Sequence, residues 1–164
     1  MDFVEQMQLY FRGEKITGIT VALVAIVLLI ASAGLWLIVK DSFARGLGSV
    51  LCVLGVFAFL GGVGLVLKTP KQVSGLAKLY QENGVGAVAT EGERMEKVVR
   101  NFKYYRVVFI LAALVAVGLL LLVKSDIAAG IAVGLLGFSL LGVTIDYYAE
   151  QRARVYLEAI LELP

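Results

Sequence analysis

Histidine is absent from the 164 residues, cysteine and tryptophan each occur once, and proline occurs twice. Each shortage closes a class of chemistry. Without imidazole there is no His-based triad, no H-E-x-x-H zinc helix and no usual nitrogen ligand for a transition metal. One thiol, Cys52, builds neither an intramolecular disulfide nor a zinc cluster, and it leaves the redox compartment unread. Charge is scarce as well: 17% of residues are charged and 60% hydrophobic, where a soluble domain carries about 25% charged residues. A net charge of +2 is too small to point to nucleic acid. No G-x-x-x-x-G-K-[ST] phosphate loop occurs, and the glycines lie inside apolar runs. Glu91, Glu93 and Glu96 stand at the start of an expected helix, where carboxylates complement the helix dipole. The sequence reads as a non-enzymatic protein with no metal or cofactor.

What is present is four uncharged runs, at 16–39 (24 residues), 46–67 (22), 107–123 (17) and 127–145 (19). A spanning helix needs about 20 apolar residues, and in hydrocarbon only a helix or a closed barrel satisfies the backbone. The runs predict transmembrane helices at 16–39, 46–67, 105–124 and 127–147, the third extended by Tyr104 and Tyr105 at the headgroups. The expected fold is all-α: an integral membrane four-helix bundle made of two tandem transmembrane hairpins with helical extensions. A cleaved signal peptide is the rival for the first run, with Arg12 and Lys15 before it and Ala31-Ser32-Ala33 resembling a cleavage site. The acidic leader and the continuation of the run to Val39 favour retention.

Lysine and arginine set the orientation. Of the 15 basic residues, twelve fall before the first run, between the second and third, or after the fourth, and three (Lys40, Arg45, Lys124) fall in the two short turns. Both termini and the long middle segment are therefore expected in the cytoplasm of a bacterial cell, and the chain in its inner membrane. Residues 1–13 read as an amphipathic helix lying on the inner surface, with Phe3, Val4, Met7, Tyr10 and Phe11 on one face and Gly13 interrupting before the span. In the cytoplasmic loop, 69–104, Thr69 is expected to cap a helix with Pro70 at its first position. Asn83-Gly84 should stop that helix, and 84–89 should be a flexible turn. Thr90-Glu91-Gly92-Glu93 has capping-box spacing and should open a helix of roughly 30 residues running on into the third span. The tail, 148–164, is expected to be helical.

The two hairpins resemble one another. Leu35 to Lys40 matches Leu119 to Lys124, with Ala44 and Gly46 against Ala128 and Gly130. Tyr10-Phe11-Arg12 is paired with Tyr104-Tyr105-Arg106, and Ala77 to Glu82 with Ala153 to Glu158, a drift that makes the second copy the shorter one. A parallel repeat about the membrane normal is the expectation. No ionisable residue lies within the span cores, where pumps and transporters usually place one. Small residues at helical spacing do: Gly48, Gly55 and Gly62 on the second span, with Cys52; Gly130, Gly134 and Gly137 on the fourth; Ala22, Ala25 and Ser32 on the first. Such faces serve helix packing within the bundle or docking of a foreign transmembrane segment.

Three function classes remain: a membrane-embedded binding protein, a channel or small-solute carrier subunit, and an assembly or scaffold factor. The opening Phe-Val-Glu-Gln-Met-Gln-Leu-Tyr-Phe, the stretch Glu93-Arg94-Met95-Glu96-Lys97-Val98 and Tyr104-Tyr105-Arg106 resemble small four-span bacterial inner-membrane proteins associated with type VI secretion effectors. That resemblance implies an immunity protein that neutralises a membrane-acting, pore-forming toxin. The expected partners are the lipid bilayer, a membrane-inserting toxin or other transmembrane protein, and a second copy of the chain.

Overall fold

In the computed structural model, residues 2–162 are described, and their regular structure is entirely helical. Helix α1 (Phe3–Gly34) continues through a π-helical turn, Leu35–Val39, into the first tight turn. Helices α2 (Ser42–Glu82), α3 (Gly84–Leu122) and α4 (Asp126–Leu161) follow. Each of the four is long and apolar enough to cross a membrane. Lys40 takes a left-handed conformation (φ 62°), and Asp41 then caps α2, its side chain accepting from the Ala44 amide at 2.6 Å.

The helices join into longer rods than the local signals indicated. Gly13 does not interrupt α1: a single glycine costs about 1 kcal/mol in a helix, and here its missing Cβ leaves room for the Arg152 side chain, 3.2 Å from where that atom would be. Thr69 and Pro70 do not begin a helix but lie inside α2. The Thr69 hydroxyl donates to the Leu65 carbonyl at 2.7 Å, and Pro70 brings no N–H for Val66. The stretch 84–89 is not a turn but the start of α3, with Asn83 as its cap, accepting from the Gly86 amide at 3.2 Å. The capping box at Thr90 is therefore internal, and that hydroxyl donates to the Gly86 carbonyl.

α1 and α2 pack antiparallel on a seven-residue repeat. Ser32 meets Gly48, Ala25 meets Gly55 and Gly18 meets Gly62, the facing residues stepping by seven in opposite directions. The Ser32 hydroxyl donates to the Gly48 carbonyl at 2.7 Å. A Cβ on Gly62 would lie 2.7 Å from the Gly18 oxygen, and one on Gly18 2.9 Å from the Gly62 oxygen. In lipid no hydrophobic force presses helices together, so this closeness supplies the attraction.

Buried positions recur between the two halves of the chain at a constant register. Phe3 and Ala87, Phe11 and Met95, Ser32 and Ala116, Ala44 and Ala128, Gly48 and Ala132, Gly55 and Ser139, and Thr69 and Ala153 are all buried, each pair 84 residues apart. The helix starts Ser42 and Asp126 share that offset. The crossing of α2 on α4 is reciprocal: a Cβ on Gly46 would strike the Ile127 carbonyl, and one on Gly130 the Phe43 carbonyl. Phe43 and Ile127 are themselves 84 apart. The register corrects two expected pairings, since Tyr10-Phe11-Arg12 does not correspond to Tyr104-Tyr105-Arg106, nor 77–82 to 153–158. Aromatic and basic residues gather wherever a span meets the headgroups, so those likenesses reflect environment.

Beyond the spans the four helices close into a head, on the side away from the tight turns. Phe3, Met7, Tyr10, Phe11, Met95, Ala153, Tyr156 and Ile160 are buried together. The N-terminal segment thus does not present its apolar face to a membrane surface. It is continuous with the first span and covers that face with α4, α3 and the end of α2. Outside lipid the hydrophobic effect operates at full strength, roughly 1.5–3 kcal/mol for each large side chain.

Candidate functional site

The six glycines singled out by spacing fall into two groups. Gly48 faces Trp36, Gly55 faces Leu29 and the Ala25 carbonyl, Gly62 faces Gly18 and Ala22, Gly130 faces Phe43, and Gly134 faces Val50 and Leu47. These five are filled by the chain itself. Gly137 has open space beside it, as do Gly61, Gly64 and Gly118. Glycines open to close approach thus lie on the outer faces of α2, α3 and α4, not along the α1–α2 seam.

Two ionic clusters, both missed from sequence, lie outside that seam. In the head, Glu91 is buried and grips Arg94 through two 2.7 Å bonds. Glu91 is the counterpart of Met7, 84 residues earlier, so a carboxylate occupies a core position rather than decorating a helix start. Arg94 also lies 5.8 Å from the centre of the Phe11 ring. The Tyr10 and Tyr156 rings stack at 4.5 Å. Burial raises the pKa of both phenols, reinforced by Glu14 at Tyr10 and by Glu91 at Tyr156. The hydrogen bond to Glu91 raises that of Arg94. Both phenols are thereby held neutral and the guanidinium charged, which suits a structural lock better than proton transfer.

The second cluster joins α3 to α4. Glu150, buried, accepts from Arg106 on one oxygen and from Arg154 on the other, the latter at 2.6 and 2.9 Å. On the opposite face of α4 the Arg152 guanidinium donates to the Thr17 hydroxyl of α1 at 2.7 Å. The signal that would have found Glu150 is the repeat: its counterpart, 84 residues earlier, is Val66.

Within the membrane-length region the exposed surface is apolar. An open groove between α1 and α2 near the first turn is lined by Leu29, Ser32, Ala33, Trp36, Cys52 and Val53. α3 packs chiefly on α4, and only 6% of its most apolar 18-residue stretch is buried. Among the described residues, no three His, Cys, Asp or Glu side chains come together as a metal site. No protein-family profile, curated protein or solved structure matches the chain.

Proposed function

We propose that this protein works without turnover, as a stoichiometric binding partner in the bacterial inner membrane, and that it is an immunity protein neutralising a membrane-acting, pore-forming toxin. The observation that carries the binding reading is the unpartnered apolar surface of α3. A long helix anchored along one side, with Gly118 open to close approach, is suited to receiving another transmembrane helix. Capture of one helix stops a pore from assembling without any chemistry. The carrier alternative is disfavoured by the interior, where glycine and backbone meet at van der Waals distance along the α1–α2 and α2–α4 crossings and leave no polar lining for a solute. The immunity assignment rests on the sequence resemblance, and the distribution of basic residues supports a cytoplasmic head.

The test is co-expression with the product of the neighbouring gene, recording growth and membrane potential. Protection that scales with protein level, with co-purification in detergent, supports the proposal. Absence of protection together with solute uptake by liposomes holding the purified protein alone would replace it with the carrier reading.

A further inference from the structure

The two halves share one scaffold, yet they do not share one hydrophobic length. The reciprocal contact of Gly46 and Gly130 with Ile127 and Phe43 sets the turn ends of α2 and α4 at one level. The uncharged runs of the first hairpin are 24 and 22 residues and those of the second 17 and 19. At about 1.5 Å per residue these are about 36 and 33 Å against about 26 and 28 Å, on either side of a hydrocarbon core of about 30 Å.

In the 84-residue register the head-side ends of the second hairpin's runs fall short by seven residues on α3 (107 against 16) and six on α4 (145 against 67). Positions that are Thr20, Ala22, Gly62, Gly64 and Val66 in the first hairpin are Tyr104, Arg106, Asp146, Tyr148 and Glu150 in the second, each 84 residues later. Tyr104, Tyr105, Tyr147 and Tyr148 are each more than half exposed, as befits aromatic residues at headgroup level. Tilting the molecule moves both ends of a hairpin together, so it does not absorb a mismatch confined to one end. Local thinning of the bilayer does.

We propose that the head-side leaflet dips by one to two helical turns along α3 and α4, and that Arg106 and Arg154 hold the phosphate of an anionic phospholipid there. The clamp is already assembled. Both guanidinium groups are fixed on the single buried carboxylate of Glu150, with side chains about half exposed (48% and 51%). Arg106, Arg154 and Glu150 together carry one positive charge, with the Asp146 carboxylate within electrostatic reach of Arg106, and the half-exposed guanidinium groups offer N–H donors to a phosphate, which arginine binds in forked geometry. The first hairpin, with Ala22, Val66 and Pro70 at the equivalent positions, lacks any such device. This site is independent of the toxin-binding reading.

The repeat supplies its own control. In a Cys52→Ser background, Gly64→Cys and Tyr148→Cys are equivalent positions on exposed faces, as are Thr20→Cys and Tyr104→Cys. In nanodiscs of phosphatidylethanolamine and phosphatidylglycerol, a water-soluble maleimide should label the Tyr148→Cys and Tyr104→Cys proteins and leave the other two unmodified until detergent is added. Equal labelling, or equal protection, within the pairs overturns the dip. For the lipid, native mass spectrometry should show phosphatidylglycerol retained by the parent protein. It should be lost from Arg106→Gln/Glu150→Gln/Arg154→Gln, which removes the Glu150 carboxylate together with both of its partners, and kept by Lys68→Gln/Lys71→Gln at the first hairpin. Retention by the triple variant, or equal loss from both variants, overturns the clamp.

Discussion

Replacing Gly130 with alanine adds one methyl group, and its consequence can be worked out from the crossing of α2 and α4. The new Cβ would strike the Phe43 carbonyl oxygen and lie 2.8 Å from the Leu47 nitrogen. Both obstacles are backbone, so no rotamer change relieves them. The helices must separate by about 1 Å to restore ordinary contact, and dispersion along the whole crossing weakens with them. Overpacking of this kind costs typically 1–3 kcal/mol, and the backbone obstacles place Gly130→Ala near the upper end, about 2–3 kcal/mol. For a chain of this length that is a fall in detergent melting temperature of roughly 4–12 °C. Gly46→Ala meets the reciprocal contact on the Ile127 carbonyl and should cost as much. The double variant should cost less than the sum, because helices already parted for one methyl have room for the other. Gly137→Ala, with nothing within 4 Å, should stay within about 0.5 kcal/mol of the parent. Fluorescence-detected size exclusion after a temperature series reads all four proteins. Equal melting of the Gly130→Ala and Gly137→Ala proteins would refute the reciprocal crossing.

Further expectations follow from the same geometry. Gly134→Leu should lower thermostability and membrane level more than Leu135→Ala, because the added side chain runs into Val50 at 2.9 Å; an unchanged Gly134→Leu protein would contradict this. Arg94→Ala strands the buried Glu91 carboxylate and should destabilise by about 3 kcal/mol, whereas Glu91→Gln/Arg94→Gln removes both charges and should lose less, as chemical unfolding in mixed micelles will tell. The Tyr10 and Tyr156 phenols have pKa values raised by burial, so the unfolded chain loses those protons first. Stability contributed by the two rings is full below about pH 10 and falls as pH rises beyond it. Tyr10→Phe/Tyr156→Phe should flatten that alkaline limb. For topology, single cysteines at Gly86 and Ser42 in a Cys52→Ser background should label from opposite sides of the membrane, Ser42→Cys from outside intact cells; labelling of Gly86→Cys from outside reverses the orientation.

The apolar helices were legible because the bilayer acts on composition alone: four long uncharged runs have few other uses. Punctuation inside the long rods was not. Gly13, Thr69-Pro70 and the run 84–89 each carry a strong local stop or start signal, and each is overridden by packing on a neighbour, Arg152 beside Gly13 being the plainest case. The apolar face of 3–11 is visible by its spacing, but a face does not declare what covers it, and here α4, α3 and the end of α2 do. Shared span ends gave away the repeat, while its register needed buried positions in all four helices. Glu91 reads from sequence as a helix-start carboxylate, and Glu150 carries no signal, because nothing local distinguishes a carboxylate that faces a helical neighbour from one that faces water.

The central claim, binding without transport, is tested most directly in a planar bilayer containing the purified protein and the product of its neighbouring gene. The protein alone should carry no conductance, and the partner's conductance should fall in proportion to added protein and vanish near a one-to-one ratio. Current carried by the protein alone, or full suppression far below equimolar amounts, would contradict it.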